Sequence, residues 1–213
     1  MLTTLCMPVG PSGIKADTAQ FITQLVYSGR VQKLALATGH LIRARNAAYG
    51  SIPQNCDRVI WLDSDVWAGL EAFERFIERG EQAFAADSTL GWYGATCVRR
   101  GAKNLVNFAI EQTHWRGGLG LVYWHAPRVL PALGRSPFAW IEPLSEDYRA
   151  CDELAERGVS IKIDVRLPTV HVDVGRWPGE DEPEAIKDIE SEMRSEESQM
   201  RLFDTLQVAS GAV

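Results

Sequence analysis

Two aspartates one residue apart, Asp63 and Asp65, close the apolar run Arg58-Val59-Ile60-Trp61-Leu62. Carboxylates at the end of a buried strand form a hard-oxygen site suited to Mg²⁺ or Mn²⁺, and a cation there can hold a phosphate. The spacing alone says little, since twelve aspartates in 213 residues bring about one Asp-x-Asp by chance. Other clusters give it weight. Arg43-Ala44-Arg45-Asn46 joins two guanidiniums, which clamp phosphates bidentately, to an amide able to bond a hydroxyl. Gly117-Gly118-Leu119-Gly120 lets backbone approach a ligand closely. Ser145-Glu146-Asp147-Tyr148 brings two carboxylates to the start of a helix, and His171 adds an imidazole further on.

These residues need a frame that gathers them. Leu2 to Met7 is an apolar run stopped by Pro8 and Gly10, which reads as a strand and a loop. Asp17 or Thr18 is a candidate cap for a helix with Phe21, Ile22, Leu25 and Val26 on one face. Val31 to Ala37 reads as a second buried strand, Leu41 to Tyr49 as a helix, and Val59 to Leu62 as a third strand. Leu70, Phe73, Phe76 and Ile77 mark a helix that Gly80 threatens to interrupt. This alternation predicts an α/β fold with a mostly parallel central sheet covered by helices. After residue 85 strands follow one another: 90–98, 105–110 and 121–124. A capped helix over 145–157 and a strand over 159–165 close the pattern. Residues 183–207 place Ile186, Ile189, Met193, Met200 and Phe203 at helical spacing, predicting an amphipathic helix with an acidic outer face.

Composition narrows the class. With 46% hydrophobic and 23% charged residues, the chain reads as an ordinary globular protein of one domain with a tail. No apolar run approaches the ~20 residues that span a bilayer. The first ten residues lack the basic and long apolar regions of a signal peptide. Cys6, Cys56, Cys97 and Cys151 form no Cys-x-x-Cys pair, which suits reduced thiols of a cytoplasmic protein. Net charge is −6, yet Arg99, Arg100, Lys103, Arg116, Arg128 and Arg135 face a single acid, Glu111, between residues 99 and 135. Such a basic middle can meet a phosphate-bearing ligand.

Taken together, Ala44-Arg45-Asn46, Asp63-Ser64-Asp65, the glycine segment and Glu146-Asp147 resemble the GT-A class of nucleotide-sugar glycosyltransferases, especially its small inverting members of bacterial or bacteriophage type. The resemblance implies a GT-A-like α/β/α sandwich over residues 1–176, with 177–213 as an acidic helical tail. It further implies donor binding by Pro8, Arg43, Arg45, Asn46, Asp63, Gly118 and Gly120, and metal binding by Asp65, Asp63 and His171. Asp147 would be the general base, with Glu146 its nearest competitor. Mn²⁺ or Mg²⁺ is the implied cofactor and a UDP-sugar the first donor to test. The second strand, however, ends Ala37-Thr38-Gly39-His40, without the carboxylate that in many relatives reads uracil.

The acceptor is a hydroxyl on a glycan, a small molecule or, in a phage setting within host cytoplasm, a hydroxymethylated DNA base. For DNA, the basic middle would track phosphates, with Trp92, Trp115, Trp124 and Trp140 nearby in sequence, and base access would need flipping and a stacking pocket; Trp177 is a candidate for stacking on a sugar. The tail helix offers a route to a homo-oligomer. Two rival readings are a haloacid-dehalogenase-like phosphohydrolase, which uses Asp-x-Asp after its first strand, and a nucleotide-sugar binder without catalysis.

Overall fold

The computed structural model describes residues 1–10, 13–98, 108–111, 114–139 and 146–171. Five of its strands run one way: β1 (Thr3–Val9), β2 (Lys33–Thr38), β3 (Arg58–Leu62), β5 (Leu90–Val98) and β9 (Ser160–His171). Two oppose them, β4 (Val66–Trp67) and β8 (Leu121–His125). The order across this seven-stranded sheet is β2-β1-β3-β8-β5-β9-β4. A separate hairpin pairs β6 (Phe108–Glu111) with β7 (His114–Gly117).

Side chains alternate along each strand, so each strand feeds two cores. Ile60 and Leu62 of β3 join Leu5, Met7 and Tyr123 against Phe21 and Leu25 of α1 (Ala16–Tyr27) and Phe73, Phe76 and Phe84 of α3 (Leu70–Ala86). Val59 and Trp61 point the other way, toward α2 (Leu41–Gly50), α4 (Ala126–Val129) and α5 (Glu146–Glu156). There Trp61, Trp124 and Trp92 pack in a row, with ring centroids 5.3 and 5.2 Å apart. The result is an α/β/α sandwich.

Some sequence expectations are corrected. β2 is not buried: it is an edge strand whose Leu34 and Leu36 are 42% and 45% exposed. α1 begins at Ala16 after Lys15, so Asp17 and Thr18 lie inside its first turn, and the Thr18 hydroxyl donates to the Val66 carbonyl at 3.1 Å. Val26 leaves the buried face and is 44% exposed. Gly80 does not interrupt α3; a Cβ there would sit 2.9 Å from the Tyr123 ring and 3.3 Å from Tyr93, so glycine lets the helix approach the sheet. Trp92 and Trp124 are fully buried, which removes them as stacking partners for a nucleic-acid base. Arg128 is occupied by three main-chain carbonyls, those of Phe84, Asp87 and Leu90. The segments carrying Arg99, Arg100, Lys103, Trp140, Ser145 and the tail helix lie outside the described residues.

On either side of Gly80, polar groups tie α3 to the sheet. The Arg79 Nε donates to Asp164 at 2.6 Å, and Asp164 also accepts the Tyr93 hydroxyl at 2.7 Å. Glu81 takes both forks of Arg58 at 2.7 Å and the hydroxyl of Tyr123. Burial works to raise the Glu81 carboxyl, but the Arg58 and Tyr123 bonds outweigh it and hold the group below the usual range. Burial, with Arg58 and Arg128 nearby, lowers the His125 imidazole as well. In both cases the unfolded chain binds the proton more readily, so stability falls as pH falls. The loss starts near the free-histidine value of about 6.5 and continues below about 4.3, where unfolded glutamates protonate. Chemical denaturation from pH 8 to pH 4 checks this, and Glu81→Gln is expected to flatten the lower part of the curve.

Candidate active site

The carboxyl end of β3 sets the site. The Asp63 amide donates to the Gly120 carbonyl at 3.1 Å, and the Asp63 carbonyl accepts the Val66 amide at 3.1 Å. A tight turn through Ser64 and Asp65 follows, and the Ser64 carbonyl accepts the Lys15 amide at 3.0 Å. Both acids of Asp63-Ser64-Asp65 are therefore presented by a turn braced from two sides, and each is partly exposed.

Arg45, on α2, is 3% exposed and crosses beneath this turn. Its Nη2 donates to both Asp63 oxygens at 3.1 and 3.3 Å, and its Nη1 lies 3.2 Å from Asp147 Oδ2. Asp147 belongs to the first turn of α5 and is 4% exposed. Its Oδ2 also accepts the Leu119 amide at 3.0 Å. Its Oδ1 is buried with no hydrogen-bond partner among the described residues. One guanidinium thus bridges two carboxylates, and the glycine segment contacts both: Gly120 through Asp63, Leu119 through Asp147.

Arg43 is placed differently. Two residues apart on a helix is about 200° of rotation, so Arg43 and Arg45 face opposite ways. Arg43 is exposed and Arg45 is turned inward. Asn46 is also committed: its amide donates to the Phe138 carbonyl at 2.8 Å and accepts the Phe138 amide at 3.2 Å. This two-way bond ties α2 to the segment ahead of α5. Pro8 is buried on β1, two residues beyond the Cys6–Trp61 pair that ends the β1–β3 register, level with Asp63. Gly118 is partly exposed and Gly120 buried.

His171 ends β9, not a loop after it, and the antiparallel register sets it opposite Val66, the residue after Asp65. Among the described residues no three His, Cys, Asp or Glu side chains form a complete cation-binding group. The donor set nonetheless fits a hard divalent ion: Asp63 and Asp65 bring carboxylate oxygens to one turn, with three acids against one buried guanidinium in the neighbourhood. Glu146 opens α5 beside Asp147.

The sequence reading missed Leu119, Phe138 and the Lys15 amide as parts of this arrangement. The first and last act through main-chain groups, which leave no mark in residue type. Phe138 lies 92 positions from Asn46.

No protein-family model matches the chain, and no curated protein matches it in sequence. Some solved structures show a partial likeness to it. A mannosyltransferase from Pyrobaculum calidifontis, solved with GDP-Man and Mn²⁺, is 14% identical, with a TM-score of 0.47 over 82% of this chain and 57% of that one. The chain thus spans little more than half of that protein's length. A glycosyltransferase involved in glycosylation of the major capsid of PBCV-1 is 12% identical, with a TM-score of 0.47 over 89% of this chain and 100% of the other. The 4-diphosphocytidyl-2C-methyl-D-erythritol synthase of Anaerococcus prevotii is 8% identical, with a TM-score of 0.45 over 91% and 96%. Among the described residues, no helix is long and apolar enough to cross a membrane.

Proposed function

We propose that this chain is a metal-dependent glycosyltransferase that moves a sugar from a nucleotide-sugar donor to an acceptor hydroxyl with inversion. One observation supports the reading above all. Arg45, Asp63, the Gly118–Gly120 backbone and Asp147, read separately from four stretches of sequence, meet at the carboxyl end of β3. That end of a strand is where an open α/β sheet binds ligands.

In this reading Asp65 and His171, with Asp63 beside them, would hold the divalent ion. When bound, the ion neutralises the diphosphate that leaves. Arg43, whose side chain is exposed, adds charge on the donor's phosphate side. Arg45 and Asn46 act by holding the frame, since their polar groups are engaged within the protein. Asp147 Oδ1 takes the proton of the acceptor hydroxyl as its oxygen attacks the anomeric carbon. The bond from that carbon to the diphosphate oxygen breaks on the opposite face, and its electron pair leaves with the diphosphate.

A UDP-sugar is the first donor to test. β2 ends at Thr38 without a carboxylate, so UDP- and GDP-sugars belong in one panel. A glycan or small molecule fits the acceptor role with fewer demands than DNA, because Trp92 and Trp124 are in the core.

The test is donor turnover across that panel with and without Mn²⁺. Asp65→Ala is expected to abolish metal-dependent turnover with the unfolding midpoint unchanged, because a partly exposed carboxylate in a turn contributes little to stability. His171→Ala is expected to raise the Mn²⁺ concentration at half-activity. Full turnover in excess EDTA would sink the metal reading. Tight binding of a nucleotide sugar without turnover on any hydroxyl would make the chain a binder. Phosphate release from simple phosphomonoesters would favour the hydrolase.

A further inference from the structure

A cleft of about 140 Å³ opens at the amino ends of β1 and β3, on the face that α1 and α3 cover. Thr3, the first residue of β1, lies beside Arg58, the first of β3, and Ile60 lies beside Tyr123 of β8. Side chains alternate along a strand, so Thr3 faces the same way as Leu5 and Met7, toward those helices. Phe73 and Ile77, one turn apart on α3, close the cleft from above, and Arg30 stands at its rim. Asp63 lies past the other end of β3, five residues beyond Arg58, about 17 Å away along the strand. The cleft is therefore separate from the candidate active site.

Most of its polar groups are committed. The Gln32 side chain accepts the Thr3 amide at 2.8 Å and donates to the Gly29 carbonyl. The Tyr123 hydroxyl donates to Glu81, so Tyr123 offers the cleft only its ring. At the rim Arg30 pairs with Glu74 at 3.2 Å, which leaves that pair without net charge. The Thr3 hydroxyl differs. Thr3 is 3% exposed, and its hydroxyl makes no hydrogen bond among the described residues. A buried hydroxyl without a partner costs free energy, which a ligand able to bond it recovers. Water serves poorly there: it needs about two to four polar partners, and Ile60, Phe73 and Ile77 supply none.

We infer that this cleft binds a single neutral ring carrying one hydroxyl, a ligand of phenol size. The volume sets the size, since a dry apolar cavity of about 150 Å³ holds one benzene ring. Ile60, Phe73, Ile77 and the Tyr123 ring take the apolar body, and the Thr3 hydroxyl bonds that of the ligand. Neutrality follows from the rim, where an anion meets Glu74 and a cation meets Arg30, each already matched by the other. This inference is independent of the catalytic reading.

The test is an amide NMR titration of the full chain with phenol, benzene and benzoate as separate probes. Phenol is expected to shift the Thr3, Gly29 and Ile60 amides saturably, and to bind more tightly than benzene or benzoate. Thr3→Val keeps the shape of the side chain and removes the hydroxyl. It is expected to weaken phenol about five-fold, the scale of one neutral hydrogen bond, with benzene affinity unchanged within about two-fold. Ile77→Trp, which fills the cleft, is expected to remove both. The proposal is overturned if phenol gives no saturable shifts, if Thr3→Val binds phenol as the parent does, or if a folded Ile77→Trp still binds it. Tighter binding of benzoate than of phenol would overturn it in favour of an anion held by Arg30.

Discussion

Asp147→Asn is expected to lower sugar transfer by about 10²- to 10⁴-fold, the usual contribution of a positioned general base, while donor binding and the fold persist. On the proposed function, the geometry gives the reason to expect this selectivity. Asp147 is held through Oδ2, which accepts the Leu119 amide at 3.0 Å and faces Arg45 Nη1 at 3.2 Å. An asparagine satisfies both donors with its carbonyl oxygen and keeps the same shape. Its NH₂ then occupies the place of Oδ1, the buried oxygen with no hydrogen-bond partner among the described residues. A donor group replaces the acceptor there, so the acceptor hydroxyl has nowhere to send its proton. Initial rates of transfer, paired with calorimetric donor binding, separate the two effects. Glu146→Gln is the control and is expected to remain active. If Glu146→Gln is dead and Asp147→Asn active, the base is Glu146. If both transfer normally and the product keeps the donor's anomeric configuration, the inverting scheme fails.

How far the sequence reached depends on whether the relevant physics is local. β3 and its terminal acids were legible because an apolar run ending in a polar turn is a local signal: the strand spans Arg58–Leu62 and Asp63 follows at once. The edge position of β2 was not legible. Alternation shows that a strand has two faces, but its place in the sheet depends on partners far away, and among the described residues β2 has one neighbour instead of two. β4 has two residues, too few for any period, and exists only because Val66 and Trp67 pair with the end of β9. Pairing with β5 carries β9 on to Val170, past the expected end at Val165, and β4 adds a partner for Val170 and His171. At the site, residue type and spacing named several groups that the fold brings together and misread some of their engagements. Arg43-Ala44-Arg45 looks like a double clamp in one dimension. Helical rotation separates the two arginines, turning Arg45 onto Asp63 and Asp147. Asn46 reads as a free amide until the chain returns with Phe138, 92 residues on, and takes both ends of it.

Arg45→Met is expected to cost the fold about 3–5 kcal/mol, the scale for removing one partner from a buried ion pair. Arg45 is 3% exposed and bridges two acids, one of which, Asp147, is 4% exposed. Deleting the guanidinium leaves the Asp147 carboxylate without its counter-charge where water cannot replace it. Asp63 suffers less, since about a fifth of its side chain is open to solvent. Against a total stability of about 5–15 kcal/mol for a domain of this kind, the loss is a large fraction. Arg45→Lys is expected to recover only part of it, because an ammonium is a point charge and lacks the planar fork that serves Asp63 and Asp147 together. The decisive variant is Arg45→Met combined with Asp147→Asn. If the cost arises from an orphaned carboxylate, neutralising that carboxylate restores stability, and the double variant unfolds at higher urea than Arg45→Met alone. If the cost is lost packing of the arginine stem, the second change restores nothing. An unfolding free energy for Arg45→Met, from urea titration, within about 1 kcal/mol of the parent would mean that the bridge contributes little to the fold. The arginine would then matter only for aiming Asp63 and Asp147, which a fall in turnover without a fall in stability would show.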